Sequence, residues 1–276
     1  RRLCIYANFA GTLKEFEAHL KKHHKDLAVS ISTIQKESQK FVKNINIMEL
    51  GIGMFGDLRI DPTTGKHRDA GVKLRETIEQ VKLMDQVGLD VFAMGEHHRK
   101  DYAVSSPEIL LAAAASVTKN IKLASGVTVL SSAEPVKVYE DFATLDLISN
   151  GRAEIVVGRG SFIESFPLYG YDLADYNQLF EEKLDLLLKI NNEENVSWSG
   201  ILRRPMENQT VYPRATKDGK LPIWIAVGGT PESVLRAAKL GLPLIVAIIG
   251  GMPKQFKNLI DFYKQEYIAA GHDINK

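Results

Sequence analysis

The sequence predicts an α/β fold built on a parallel sheet, a TIM-type (β/α)8 barrel. Three observations carry that reading. Short apolar runs alternate with single helical stretches six times between residues 48 and 276, and strands separated by helices run parallel. Candidate working residues fall after several different strands, at Glu96-His97-His98, Ser131-Ser132, Arg159 and Gly228-Gly229. A barrel collects its site in that way, at the carboxyl ends of its strands. No Gly-x-Gly-x-x-Gly follows the first strand, which argues against an open dinucleotide-binding sheet. Six strands are two short of eight, so the barrel is expected to lack its last two βα units.

Residues 1–47 read as an extension unrelated to the barrel. Thr12-Leu13-Lys14-Glu15 forms a capping box that opens a helix, with Leu13, Phe16, Leu20 and Leu27 on a narrow apolar stripe. His19 and His23 have the i, i+4 spacing of a metal pair. They lie on a strongly basic face, where a solvated surface is expected, and no metal is assigned. The barrel is read as residues 48–276, from Met48 onward. Leu50 to Phe55 is its first strand, and Gly56 to Arg68 is a loop. Leu74, Ile78, Val81, Met84 and Val87 keep helical spacing as far as Gly88. Val91 to Met94 is strand two. Pro107 opens an alanine-rich helix, Ile121 to Leu130 is strand three, and Pro135 opens a helix that stops near Asn150-Gly151. Ala153 to Val157 is strand four. The less regular stretch 161–221 holds a helix over Tyr176 to Ile190 and a strand at Val196 to Trp198. Strand five, Ile223 to Val227, has five consecutive apolar residues, which predicts cover on both faces. Thr230 caps and Pro231 opens the helix that Gly241 stops. Leu244 to Ile249 is strand six, and Lys254 to Ala270 is a last amphipathic helix.

The totals narrow the function classes. The 276 residues are 45% hydrophobic and 25% charged, ordinary for a soluble globular protein. A net charge of +1 gives no basic surface for nucleic acid or an anionic membrane. One cysteine, Cys4, allows no internal disulfide and fits a reducing cytoplasm. The strongly apolar run around Leu242 to Ile249 is far too short to span a bilayer. No long apolar run follows Arg1-Arg2-Leu3-Cys4, so no signal peptide is expected, and the expected location is cytoplasmic.

Three places carry candidate chemistry. The turn Gly228-Gly229-Thr230 joins strand five to a helix that includes Ser233. Its small residues and backbone amides suit a phosphate, although a plain βα corner has the same signature, and Glu232 would repel an anion unless it points away. Arg159 stands between Gly158 and Gly160 after strand four. A guanidinium there suits a phosphate or carboxylate, or forms a salt bridge with Glu164 or Asp175. His97 and His98 follow strand two. Adjacent side chains on extended chain point apart, so one histidine suits acid–base chemistry, oriented by Glu96, and the other suits packing under a loop. Gly126, Val127 and Thr128 lie inside an apolar strand, where a glycine marks a bulge or the close approach of a ligand. The aromatic residues from Phe162 to Tyr176 read as packing.

The order and spacing of these segments resemble the bacterial luciferase-like monooxygenase family of flavin-dependent oxidoreductases. The resemblance runs from Met48 to Lys276. It rests on Glu96-His97-His98, Gly126 to Val136, Glu140-Asp141 through Asp146 to Gly151-Arg152, Gly158-Arg159-Gly160, Phe166 to Asp172, Pro222 to Ser233 and Gly241-Leu242-Pro243. It implies a barrel that binds FMN at the carboxyl ends of its strands. Reduced FMN would come from a separate flavin reductase and react with O2 to a C4a-peroxide that oxidises a small organic substrate. A homodimer is expected. By the same resemblance His97 is the catalytic histidine with Glu96 beside it. Gly126-Val127 forms a non-proline cis peptide next to the flavin. Arg159 reaches the FMN phosphate, with Gly160, Gly228, Gly229, Thr230 and Ser233 around it. Asn177 stands where luciferases carry a second arginine, Gly158 where they carry a cysteine, and Gly228-Gly229 where they carry Glu-Ser, so light emission is not expected. Two alternatives stay open: an F420-dependent oxidoreductase of the same barrel family, and a flavin-binding or inactive fragment.

Overall fold

Parallel strands alternate with helices over much of the computed structural model, which describes residues 2–6, 49–248 and 252–274. It divides into two units, Arg1–Gly126 and Val127–Lys276. Among the described residues no helix is long and apolar enough to cross a membrane.

The first unit is a parallel sheet in the order β1 (Arg2–Tyr6), β2 (Glu49–Met54), β3 (Val91–Met94) and β4 (Lys122–Ser125). β1 is a strand that the sequence did not announce. It pairs with β2 from Arg2↔Glu49 to Tyr6↔Gly53. The capping box and the histidine pair of the extension lie outside the described residues. Helix α1 (Ala70–Gln86) starts at Asp69, whose carboxylate accepts from the Val72 amide at 2.7 Å, as an N-cap does. Its buried line is Lys73, Thr77, Gln80, Val81 and Met84, whereas the periodic Leu74 and Ile78 are only half-buried. Asp85 accepts the amides of Lys119, Asn120 and Ile121 at 2.7–2.9 Å and so fixes the entry to β4 after helix α2 (Pro107–Ala115). The expected third strand is shorter than its apolar run. β4 stops at Ser125, and a separate two-residue strand, β5 (Thr128–Val129), follows in the second unit.

In the second unit the parallel order is β5, β6 (Ala153–Gly158), β9 (Ile223–Val227) and β10 (Leu244–Val246). A hairpin of β7 (Asn195–Trp198) and β8 (Met206–Thr210) stands apart as an antiparallel pair. Helix α3 (Pro135–Ser149) ends at Asn150 in the left-handed conformation, as the Asn-Gly stop predicts. The short α4 (Ser165–Tyr169) precedes α5 (Tyr176–Asn192), α6 (Pro231–Lys239) and α7 (Lys257–Ala269). The core of this unit includes β6, buried along its whole length, and the buried side chains of Phe142, Phe180, Leu184, Leu187 and Val234. β9 departs from the expectation of two covered faces: Trp224 and Ala226 alternate as half-buried residues between buried Ile223, Ile225 and Val227.

Candidate active site

Because β6 and β9 are parallel and paired at Val157↔Ile225, their carboxyl ends emerge side by side. Arg159 leaves the first and the Gly228 turn leaves the second. Arg159 Nη1 donates to Asn177 Oδ1 at 2.7 Å, and Nη2 donates to Ser233 Oγ at 3.1 Å. Asn177 sits in the first turn of α5 and Ser233, 6% exposed, in the first turn of α6. Asn177 and Ser233 are thus two partners of the guanidinium. Arg159, Gly160, Asn177 and Ser233 are therefore brought together as expected.

Gly228, Gly229 and Thr230 are exposed and lead into α6. A Cβ added at Gly228 or Gly229 would meet nothing within 4 Å, so the turn has open space beside it. Thr230 occupies the cap position of α6, but among the described residues its side chain makes no capping bond. The chemistry of this cluster is that of an anion cradle: one guanidinium held at two points, a hydroxyl, an amide and the positive end of a helix. On β5, separately from these contacts, Thr128 has a buried hydroxyl with no partner among the described residues. Such an orphan is unusual in a native core and fits a ligand contact.

Two glycines allow β5 and β6 to close on each other. A Cβ at Gly158 would lie 2.9 Å from Val127 Cγ2, and one at Gly160 would lie 2.8 Å from Val129 Cγ1. Gly160 also has φ +79, a conformation that favours glycine.

Two residues outside the expected set support the cluster. The Tyr176 hydroxyl donates to the Gly160 carbonyl at 2.7 Å, and its ring lies 5.3 Å from Arg159 Cζ. Burial raises the Tyr176 pKa, with Arg159 opposing the shift. Lys183, 3% exposed, donates to the Ser131 carbonyl at 2.8 Å over the face of Tyr171. Burial lowers its pKa to about 8, with Glu134 opposing and Arg203 reinforcing. A lysine inside the apolar face Leu179, Phe180, Leu184, Leu187 was the available sequence signal for Lys183. Tyr176 gave no signal beyond its place next to Asn177.

In the first unit, the residues after β3 are laced to those after β2. His97 N donates to Val104 O at 2.9 Å, Ala103 N to Gly56 O at 2.8 Å, and Leu58 N to Asp101 O at 2.7 Å. The His97 ring is set against Phe55 and Tyr102, with centroids 5.3 and 4.2 Å away. Glu96 holds His98, whose Nε2 lies 2.8 Å from Oε1. A carboxylate can only accept, so that nitrogen carries the proton. The two histidines thus go to different partners, as adjacent residues on extended chain should. One implied feature is corrected. Among the described residues the cis peptide is Tyr212–Pro213, and Gly126–Val127 is trans. The Gly126 amide continues the ladder by donating to Met94 O at 2.7 Å, and trans is the cheaper form by about 3–4 kcal/mol.

A cleft of about 810 Å³ lies between α5 and the β7–β8 hairpin, lined among others by Asp185, Lys189, Trp198 and Met206. It includes no member of the Arg159 cluster.

A sequence model of luciferase-like monooxygenases matches residues 48–276. The chain belongs to the luciferase-like monooxygenase family. The N-acetyl-S-alkylcysteine monooxygenase of Bacillus subtilis (strain 168) is 30% identical over 186 residues, 66% of this chain and 53% of that one. The alkanal monooxygenase alpha chain of the Kryptophanaron alfredi symbiont is 27% identical over 193 residues, 69% of this chain and 53% of that one. The chain spans about half the length of the curated relatives it matches. Among solved structures, monooxygenase RslO1 from Streptomyces bottropensis superposes with TM-score 0.72 at 26% identity, covering 82% of this chain and 68% of that one. The oxygenating constituent of 3,6-diketocamphane monooxygenase from Pseudomonas putida, in complex with FMN, gives TM-score 0.66 at 24% identity over 81% and 63%. An F420-dependent secondary alcohol dehydrogenase gives 0.67 at 20% over 83% and 67%. The last two show the fold alone, the luciferase-like βα-barrel type that the parallel repeats of both units follow.

Proposed function

We propose that this luciferase-like family member is an FMN-dependent monooxygenase that oxidises a small organic substrate with O2. The observation that supports it most directly is Arg159 held by Asn177 and Ser233 at the carboxyl edge of β6 and β9. The named functions of the relatives and the FMN complex of a fold neighbour agree with it. Bound reduced FMN, delivered by a separate reductase, supplies the electrons that activate O2. Arg159, the Ser233 hydroxyl and the backbone of Gly228, Gly229 and Thr230 hold the phosphate, and Asn177 and Gly160 shape the guanidinium's place. The orphan Thr128 hydroxyl, on the strand that follows Gly126 and Val127, offers the cofactor a hydrogen bond. His97 takes or returns a proton during oxygenation, the role an imidazole fills near neutral pH. Glu96, by holding His98, stiffens the segment that carries His97.

The test is titration of the purified protein with FMN, riboflavin and F420, followed by oxygen consumption with reduced FMN and candidate substrates. FMN is expected to bind more tightly than riboflavin. A second reading, an F420-dependent oxidoreductase, draws on the single guanidinium of the cluster, which also suits the singly charged phosphodiester of F420. Tight F420 binding without FMN binding would select it.

A further inference from the structure

We propose that Tyr176 is a positioning residue that sets the Arg159 guanidinium for phosphate, an inference that rests on the FMN reading above. Arg159 is followed by Gly160 at φ +79, a conformation with no side-chain bulk to hold it in place. The Tyr176 hydroxyl binds the Gly160 carbonyl at 2.7 Å and fixes the peptide that follows the arginine. The same ring lies under the guanidinium at 5.3 Å, within the range of a cation–π contact. Its other support is Phe166, stacked at 5.5 Å with 29° between the planes. Tyr176 thus holds both the backbone and the side-chain end of the Arg159 segment. Asn177, the next residue, accepts from Nη1, so one helical turn delivers three contacts to the arginine unit. With Asn177 uncharged, Arg159 is the guanidinium of the cluster, and its orientation decides how many N–H groups reach an anion. The hydroxyl's bond to Gly160 makes Tyr176 act through Arg159 and not as a ligand.

The experiment measures dissociation constants of FMN and riboflavin for wild type, Tyr176→Phe, Tyr176→Leu, Arg159→Ala and Arg159→Ala/Tyr176→Phe. The ratio of the two constants isolates the phosphate, and a general loss of structure would move both ligands together. Tyr176→Phe keeps the ring on Phe166 and is expected to cut the preference for FMN about five-fold, and Tyr176→Leu about tenfold or more. In the Arg159→Ala background Tyr176→Phe should have no further effect. An unchanged preference in Tyr176→Phe, or an equal loss with Arg159 already removed, overturns the positioning role while leaving the FMN reading in place. A wild type that does not prefer FMN to riboflavin overturns the phosphate reading, and this inference with it.

Discussion

Replacing Gly160 by alanine tests the packing of β5 on β6 and the backbone beside Arg159 in one step. Gly160 has φ +79, and an added Cβ would lie 2.8 Å from Val129 Cγ1, 3.3 Å from Val129 Cγ2 and 3.4 Å from Phe162 O. Two costs add. A side chain in the left-handed region costs about 1–2 kcal/mol, and forcing a methyl into a packed contact costs about 1–3 kcal/mol. The expected destabilisation is therefore about 2–5 kcal/mol. Gly170 supplies the control: it has φ +76, but a Cβ there meets nothing within 4 Å. Gly170→Ala should show the backbone cost alone, about 1–2 kcal/mol. Urea unfolding of both variants, followed by circular dichroism, gives the two values from the midpoints and slopes. Their difference measures the contact with Val129. Equal losses would refute the packing argument, and a Gly160→Ala loss within about 0.5 kcal/mol of zero would refute the backbone argument as well.

Three further outcomes follow from the site. His97→Ala should lower oxygenation about 10²-fold or more while the dissociation constant for FMN stays the same; unchanged turnover removes His97 from the mechanism. Gly228→Glu is sterically permitted, since nothing lies within 4 Å of an added Cβ, so the fold should stand while the new carboxylate weakens FMN about tenfold or more. Fluorescence titration checks this, and unaltered affinity places the phosphate elsewhere. Lys183 is held at a pKa of about 8 against an ordinary 10.5, chiefly by burial. The unfolded chain then binds more protons than the folded one between those values, so stability should rise from about pH 8 to about pH 10.5, by roughly 3 kcal/mol at most. Lys183→Met should remove that slope in urea-unfolding midpoints measured across the window, and a slope left intact assigns it to other groups.

Much of the site was legible because chemistry fell at strand ends, where a parallel sheet gathers it. Arg159 and Ser233 are 74 residues apart, yet each follows a run of apolar residues, and pairing of the two strands was enough to bring them together. His97 likewise follows a strand, β3. What stayed hidden depended on contacts that periodicity does not encode. On α1 the buried line contains Lys73, Thr77 and Gln80, which an apolar pattern passes over, and both amide atoms of Gln80 have no partner among the described residues. The apolar run from Ile121 to Leu130 looked continuous, but hydropathy does not report where ladder bonding stops, and the strand ends at Ser125. β1 was missed because the short apolar run Leu3 to Ala7 carries no polar alternation to mark a strand.

Helix α5 is what makes the Arg159 cluster a fixed arrangement. Its first turn carries Tyr176 and Asn177, and the rest of the helix is tied down independently at several levels. Lys183 binds the Ser131 carbonyl at 2.8 Å, just beyond β5. Glu182 accepts the amides of Ile201 and Leu202 at 3.0–3.1 Å, and Asp185 accepts from Trp198 at 2.8 Å. Asn191 exchanges two bonds with the backbone of Leu221, just ahead of β9. The helix therefore spans from the loop after β5 to Leu221, two residues before β9, and sliding it by one position would break all of these together. A site used for binding gains from such support, because donors already in place lose little freedom when the ligand arrives. The buried lysine, costly to keep charged, makes physical sense in this light: it ties the helix that presents Asn177 to the loop that follows Thr128.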